Sequence, residues 1–304
     1  MIGNLESMST ATLPYMSEQT FVEDQAHLNA PATFIEAVRR AGYDMVVMSN
    51  NHNCDTGVRG VYDTLDRVDD YKLIHTGMYR SAAEQRYQVV CINGINVGFI
   101  SYATYFNTKD RHFTEDGLKI LLSPYSKEVA QRDIAAARAL GAEFVIVYMH
   151  WGIEYVNIPS EQVMEWAQEV ADAGADYIIG SHPHALQPYD RLTSKDGRSV
   201  PIVYSMGNFL SHQNDIATKD TIILRLKLAR DSRGNVIIAD EGYIPCYVFP
   251  SFKSREFVIV PVVSPYSDGT TSMTFPQAHE RITLIMGSKI KALGELKEPR
   301  TLHG

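Results

Sequence analysis

The chain has 304 residues, 45% hydrophobic and 21% charged, with a formal net charge of -8, enough apolar material for one large core or two smaller ones. An acidic balance without a lysine or arginine cluster argues against nucleic acid or an anionic membrane surface as a partner. Three scattered cysteines, Cys54, Cys91 and Cys246, fit free thiols better than a disulfide framework or a cysteine-ligated zinc. No apolar run is long enough to span a bilayer, and the first residues lack the basic start and apolar stretch of a signal peptide.

Met1 to Glu6 reads as the tail of a strand, followed by a polar, turn-rich surface loop over residues 7–30. Pro31 to Ala41 has a helix's first-turn proline and an apolar face of Phe34, Ile35 and Val38. A short buried strand around Met45 to Met48 ends in Asn50-Asn51-His52-Asn53-Cys54-Asp55, too many polar residues for a simple turn. Gly57 to Asp69 is a second helix with Val58, Val61, Leu65 and Val68 on one side, and Asp55 or Thr56 is positioned to cap it. After a strand over Lys72 to His75, two apolar runs flank Asn93-Gly94, the dipeptide that favours a two-residue primed hairpin turn.

Residues 103–123 look irregular, with Asp110 to His112 at a loop tip. Ser126 to Leu140 reads as a helix, Glu143 to Met149 as a buried strand, and His150-Trp151-Gly152-Ile153-Glu154-Tyr155 stands at its end. The next helix, about Ser160 to Ala173, carries Val163, Trp166, Ala167 and Val170 at core spacing. Asp176 to Ile179 then leads into Gly180-Ser181-His182-Pro183-His184. Pro201 to Ser205 is a strand ending in Met206-Gly207-Asn208-Phe209, and Thr221 to Leu228 pairs with Val236 to Tyr243 as an antiparallel hairpin. Phe257 to Val263 and a last helix near Pro276 to Leu293 close the chain. Helix–strand units early, with hairpins between and after them, imply an α/β sandwich with mixed sheets and outer helices.

Four strand ends therefore carry unusual polar groups: Asn4 with Glu6, Asn51 with His52, His150, and His182 with His184. In open α/β sheets the crevice beyond the carboxyl ends of the strands is where ligands bind. Imidazole with oxygen donors suits zinc, manganese or iron. Two such ions side by side polarise a phosphoryl oxygen and activate water for in-line attack, and a nearby histidine that binds no metal can protonate the leaving oxygen. Singly, each residue has an ordinary explanation as a hydrogen-bonded strand end or a turn; four coincident strand ends outweigh it. Asp55 reads as a helix cap, Glu154 as a contact to substrate, a brace for a ligand or a surface ion pair, and Asn208 as a turn residue bordering the pocket. His27, His75, His112, His212, His279 and His303 read as surface or structural.

Taken together, Asn4-Leu5-Glu6, Asn50-Asn51-His52 with Asp55 and Gly57, His150-Trp151-Gly152 with Glu154-Tyr155, Gly180-Ser181-His182-Pro183-His184 with Gln187, and Tyr204-Ser205 with Gly207-Asn208-Phe209 resemble the CapA family. These are capsule or poly-γ-glutamate biosynthesis proteins related to calcineurin-like metallophosphoesterases, and the matches run in order over about residues 1 to 210. The resemblance implies a four-layer sandwich of two mixed β-sheets flanked by helices, formed by a CapA domain over residues 1–250 with residues 251–304 as a C-terminal extension packing on it. It implies two divalent ions (Mn, Fe or Zn) held by Glu6, Asn51, His150, His182 and His184. His52 would be the acid or transition-state stabiliser, and Asn4, Asp55, Glu154 and Asn208 would contact substrate or steady a ligand. Family members start with a strand ending in Gly-Asp, whose aspartate is a metal ligand; this sequence opens at the second motif, so a truncated domain with a weakened second metal is expected.

The expected function is a metal-dependent, phosphoesterase-like hydrolase of capsule or poly-γ-glutamate synthesis or export. It would act on a polymer or a phosphorylated small molecule beside membrane-bound polymer synthase subunits, without nucleic acid and without inserting into the membrane itself. The competing expectation is a non-catalytic scaffold subunit using the same fold. The resemblance points to the extracytoplasmic cell envelope.

Overall fold

The computed structural model describes residues 1–15, 28–107, 109–250, 256–267 and 272–294; His27 and His303 lie outside them. The chain divides into two compact units, the first of Met1–Trp151, Glu165–Ile178 and Thr193–Val200, the second of Gly152–Met164, Ile179–Leu192 and Pro201–Gly304.

The first unit opens with β1 (Ile2–Asn4), α1 (Ala32–Arg40), β2 (Met45–Val47), α2 (Gly57–Asp70) and β3 (Ile74–Thr76). The three strands pair in parallel, with Ile2 opposite Met45, Asn4 opposite Val47 and Met45 opposite Ile74. Parallel strands need crossovers, and α1 and α2 supply them. In α2, Val61, Leu65 and Val68 are fully buried, a spacing that puts them on one helix face. Each contributes about 1.5–3 kcal/mol on leaving water. They join Leu5, Ile35, Val46, Met48 and Cys54 in one apolar cluster. Gly60 is required where α2 starts, because a Cβ there would lie 1.8 Å from Thr56 Oγ1.

β4 (Gln88–Ile92) and β5 (Ile95–Ala103) form the expected hairpin. Asn93 and Gly94 have φ of 50° and 80°, as a primed turn demands. α3 (Glu115–Leu121) follows a short 3₁₀ turn over Lys109–His112, so the stretch expected to be irregular is partly helical. Its start is capped by Thr114, whose Oγ1 accepts from Gly117 N at 3.0 Å, with Glu115 and Asp116 in the first turn. α4 (Lys127–Ala139), capped by Ser126, leads into β6 (Phe144–His150). β5 and β6 are parallel from Val97 opposite Phe144 to Ala103 opposite His150, so His150 is the last residue of a buried strand. α5 (Glu161–Ala173) then precedes β7 (Tyr177–Ser181). Hydrogen-bonded order in this unit is β4-β5-β6-β7.

Strands β7 and β9 begin in the first unit and finish in the second, where the order is β7-β9-β8, with β8 over Leu186–Thr193 and β9 over Ser199–Met206. A separate antiparallel sheet holds β10 (Asp220–Arg230), β11 (Val236–Pro250) and β12 (Phe257–Pro261), with a register shift at Lys227/Leu228. A two-stranded ribbon, β13 (Tyr266–Ser267) with β14 (Ser272–Met273), precedes α6 (Pro276–Met286). α6 is shorter than expected. It stops at Gly287, whose φ of 72° leaves the helical region. Arg281 of α6 grips Asp220 of β10 with two bonds of 2.7 Å, and burial pushes the Asp220 carboxyl up while Arg281 pulls it back. The mixed α/β architecture with several sheets and accompanying helices is as expected.

Candidate metal centre

In the first unit the polar strand ends converge. Two residues beyond Asn4, Glu6 accepts from Asn4 Nδ2 at 2.9 Å. Beyond β2, Asn50 fastens the following turn: its Nδ2 donates to Leu5 O at 2.9 Å, and its Oδ1 accepts from His52 N at 3.1 Å. Asn51 is left facing inward and is buried. Its Nδ2 donates to Asn107 Oδ1 at 2.9 Å, which turns its Oδ1 toward His150 Nε2, 2.8 Å away. Glu6 Oε1 lies 3.6 Å from the same nitrogen. One imidazole nitrogen, one amide oxygen and one carboxylate oxygen thus meet around a fully buried histidine.

His52 does not join that group. Its Nδ1 is 2.7 Å from Asp55 Oδ2, which also accepts from Leu28 N at 2.7 Å. A carboxylate only accepts, so Nδ1 carries the hydrogen of this pair and Nε2 is the free, exchangeable position. Asp55 is therefore not the helix cap that its position implied. Thr56 is the N-cap residue of α2 and makes no side-chain capping bond.

The second unit holds another set. The ligand atoms of Glu154, His182 and His184 all lie within 4.8 Å of one another, with His184 Nε2 3.9 Å from Glu154 Oε1. That separation is too long for a hydrogen bond, but two donors to one ion with bonds near 2.1 Å can stand up to roughly 4.2 Å apart. His184 Nδ1 is 2.8 Å from Asn208 Oδ1, and the Tyr155 ring stacks on the His184 ring at 5.8 Å. Tyr155 N also donates to Pro183 O at 2.7 Å, tying the two loops together. Partial burial and the Glu154 charge hold the Tyr155 phenol above its ordinary range, so it stays a hydroxyl.

The backbone marks the same places. Among the described residues, non-glycine positive φ occurs at Lys72, Asn93, Asn107, Tyr155, His182 and His184. Apart from the surface turns at Lys72 and Asn93, all belong to these donor sets or support them. Such conformations cost about 1–3 kcal/mol each and persist where the surroundings over-determine them.

Nitrogen and oxygen donors without thiolate fit zinc, manganese or iron. Cys54 sits in the apolar cluster, and Cys54 and Cys246 are buried while Cys91 is exposed. The His150–Asn51 pair adds a fit test of its own. Once His150 Nε2 loses its proton, it and Asn51 Oδ1 face each other lone pair to lone pair, an arrangement that a cation relieves. Asn107 and Gln213, which brace Asn51 and Asn208, escaped the sequence reading; Asn107 follows β5, a strand whose end was not singled out. His75, His112, His212 and His279 enter neither donor set. His75 is a buried strand residue whose burial lowers its imidazole pKa, and His212 packs on Phe257 at 4.7 Å.

Residues 1–213 match the family described as bacterial capsule synthesis protein PGA_cap, and the chain belongs to that family. It is 32% identical over 208 residues to the capsule biosynthesis protein CapA of Bacillus anthracis, covering 66% of this chain and 48% of that protein. It is 26% identical over 234 residues to the PGA biosynthesis protein CapA of Bacillus subtilis, covering 76% and 58%. The chain thus spans about half the length of the curated relatives it matches. Solved structures with a similar course include the calcineurin-like phosphoesterase YfkN from Bacillus subtilis, with TM-score 0.46, 18% identity and coverage of 88% of this chain and 77% of that one. Another is a 5'-nucleotidase precursor from Thermus thermophilus, with TM-score 0.46, 18% identity and coverage of 70% and 40%. No described helix is long and apolar enough to cross a membrane.

Proposed function

We propose that this chain is a metal-dependent, phosphoesterase-like hydrolase acting in the synthesis or export of a capsule polymer of the poly-γ-glutamate kind. The observation that carries the reading is the meeting of His150 Nε2, Asn51 Oδ1 and Glu6 Oε1 one residue before a histidine held by a buried carboxylate. Glu6, Asn51 and His150 would hold divalent metal in the first unit, and His182 and His184, with Glu154 beside them, would do so in the second. Bound metal supplies Lewis-acid polarisation of a phosphoryl oxygen.

The chain's own residues supply the rest. Asp55 keeps a hydrogen on His52 Nδ1 and sets the ring, so that Nε2 gives its proton to the departing oxygen as water bonds to phosphorus and the ester P–O bond breaks. Asn50 and Asn107 fix the turn that carries this pair, so little reorganisation accompanies the transfer. The substrate class is a phosphorylated small molecule or polymer end, handed on within an assembly that includes membrane-bound synthase subunits.

Elemental analysis of purified protein beside His182→Ala, with hydrolysis of a chromogenic phosphodiester, tests the reading. Bound manganese, iron or zinc in the wild type, reduced in the variant together with turnover, is the expected result. Metal-free wild-type protein that also fails to hydrolyse the ester after metal is added back would sink it and leave a scaffold role.

A further inference from the structure

We infer that Asn208 is a positioning residue that fixes His184 as the Nδ1–H tautomer and so dedicates its Nε2 to metal; the inference rests on the metal reading above. The orientation of the Asn208 amide follows from its partners. Its Nδ2 lies 3.2 Å from Thr218 O and 2.8 Å from Gln213 Oε1. A backbone carbonyl can only accept, so the nitrogen end must face Thr218 and the oxygen end must face His184. Oδ1 then accepts at 2.8 Å from His184 Nδ1, which has to carry the hydrogen. In the neutral ring the lone pair is left on Nε2, the nitrogen turned toward Glu154.

The arrangement is held from behind. Both Asn208 Nδ2 hydrogens are used, one by Thr218 O and one by Gln213 Oε1. Gln213 therefore turns its own Nε2 outward, 3.4 Å from the Tyr155 hydroxyl, and Tyr155 lies over the His184 ring at an interplanar angle of 23°. Gln213 thus links the group that orients the His184 ring edge to the group that covers its face. Gly207 permits the approach. Its φ is 70°, and a Cβ there would stand 2.6 Å from Asp220 O, so the residue before Asn208 has to be glycine. Metal-ligating histidines whose second nitrogen loses its partner typically lose about 10–100-fold in metal affinity.

The test uses the full chain with ¹⁵N-labelled histidine and zinc ion as the probe. In the metal-free wild type, long-range ¹H–¹⁵N correlations, assigned by loss of the signal in His184→Gln, should show the hydrogen on Nδ1. Asn208→Leu should shift it toward Nε2 and weaken zinc binding by about 10–100-fold. Gln213→Met should weaken zinc binding to a smaller degree. An Nε2–H signal for His184 in the wild type overturns the assignment whether or not metal binds. Asn208→Leu with wild-type zinc affinity overturns it too, since a merely structural role would move neither the tautomer nor the affinity. Failure of the wild type to take up zinc overturns the parent reading instead, and the NMR signal still decides the role of Asn208.

Discussion

His150 and His184 are both candidate metal donors, yet the chain presents them in opposite ways. His150 ends a regular parallel strand, is fully buried, and faces an amide oxygen itself fixed by a second asparagine. His184 sits on left-handed backbone with φ 56°, next but one to His182 with φ 100°, and its neighbour Glu154 is 41% exposed at the side chain. One donor is placed by sheet geometry, with conformational freedom removed by the core. The other is placed by a strained turn, its ring held by a bond to Asn208 that Gln213 braces and covered by the stacked Tyr155. Preorganisation of a metal donor can therefore come from burial or from a hydrogen-bonded brace, and the two forms fail differently when altered.

The sharpest break of the comparison is His150→Ala. The change removes a donor and leaves Asn51 Oδ1 inside the protein without that partner, which costs about 1–3 kcal/mol in addition to the lost packing. We expect metal content to fall together with thermal stability, and stability to stay low in the presence of chelator, where metal cannot contribute. The same substitution at His184 should remove metal with little loss of stability in chelator. Equal stability losses at the two positions would erase the distinction between a buried and a braced donor.

Asp55→Ala separates holding metal from moving a proton within the first unit. His52 loses the acceptor that orients its ring, and Leu28 N loses its partner. Turnover of the phosphodiester should fall by about 100-fold, within the range for general acid catalysis, while metal content stays at the wild-type level, since Asp55 acts through His52 and Leu28 while Asn51 and Glu6 face His150. Loss of metal in this variant would mean that the turn after β2 is held by Asp55 rather than by Asn50.

The sequence was most readable where one local rule decides the outcome. Asn93-Gly94 announces its hairpin because both residues must take positive φ, and Val61, Leu65 and Val68 announce α2 because they repeat at the helical period. α3 was missed because seven residues give too little periodicity and Gly117 sits within them, although the Thr114-Glu115-Asp116 start was a usable sign. β8 was missed because Pro188 lies inside it; it is last in the order β7-β9-β8, an edge position where proline is tolerated. The histidines and Asn51 were legible as polar residues that recur after buried strands. The braces were not. Asn107, Gln213 and the bond from Leu28 N to Asp55 join loops far apart in sequence, and no local pattern encodes which amide will turn toward which ring.

The finest test of the comparison removes the imidazole from both positions and varies only the backbone. At position 184, alanine and glycine delete the same ring, bond and stack, so their difference reports the cost of φ 56° for a residue with a Cβ. Left-handed conformation costs such a residue roughly 1–2 kcal/mol, partly offset by the larger unfolded-state freedom of glycine. His184→Gly should therefore be more stable than His184→Ala by about 0.5–1 kcal/mol. At position 150, in extended strand, no such relief exists, and the entropy of glycine makes His150→Gly less stable than His150→Ala by about 0.5–1 kcal/mol. Denaturant unfolding of the four variants in chelator reads both differences at once. Opposite signs would show that the second unit stores strain where it presents its donor and the first does not; the same sign at both positions would mean that the turn around His184 relaxes once the ring is gone.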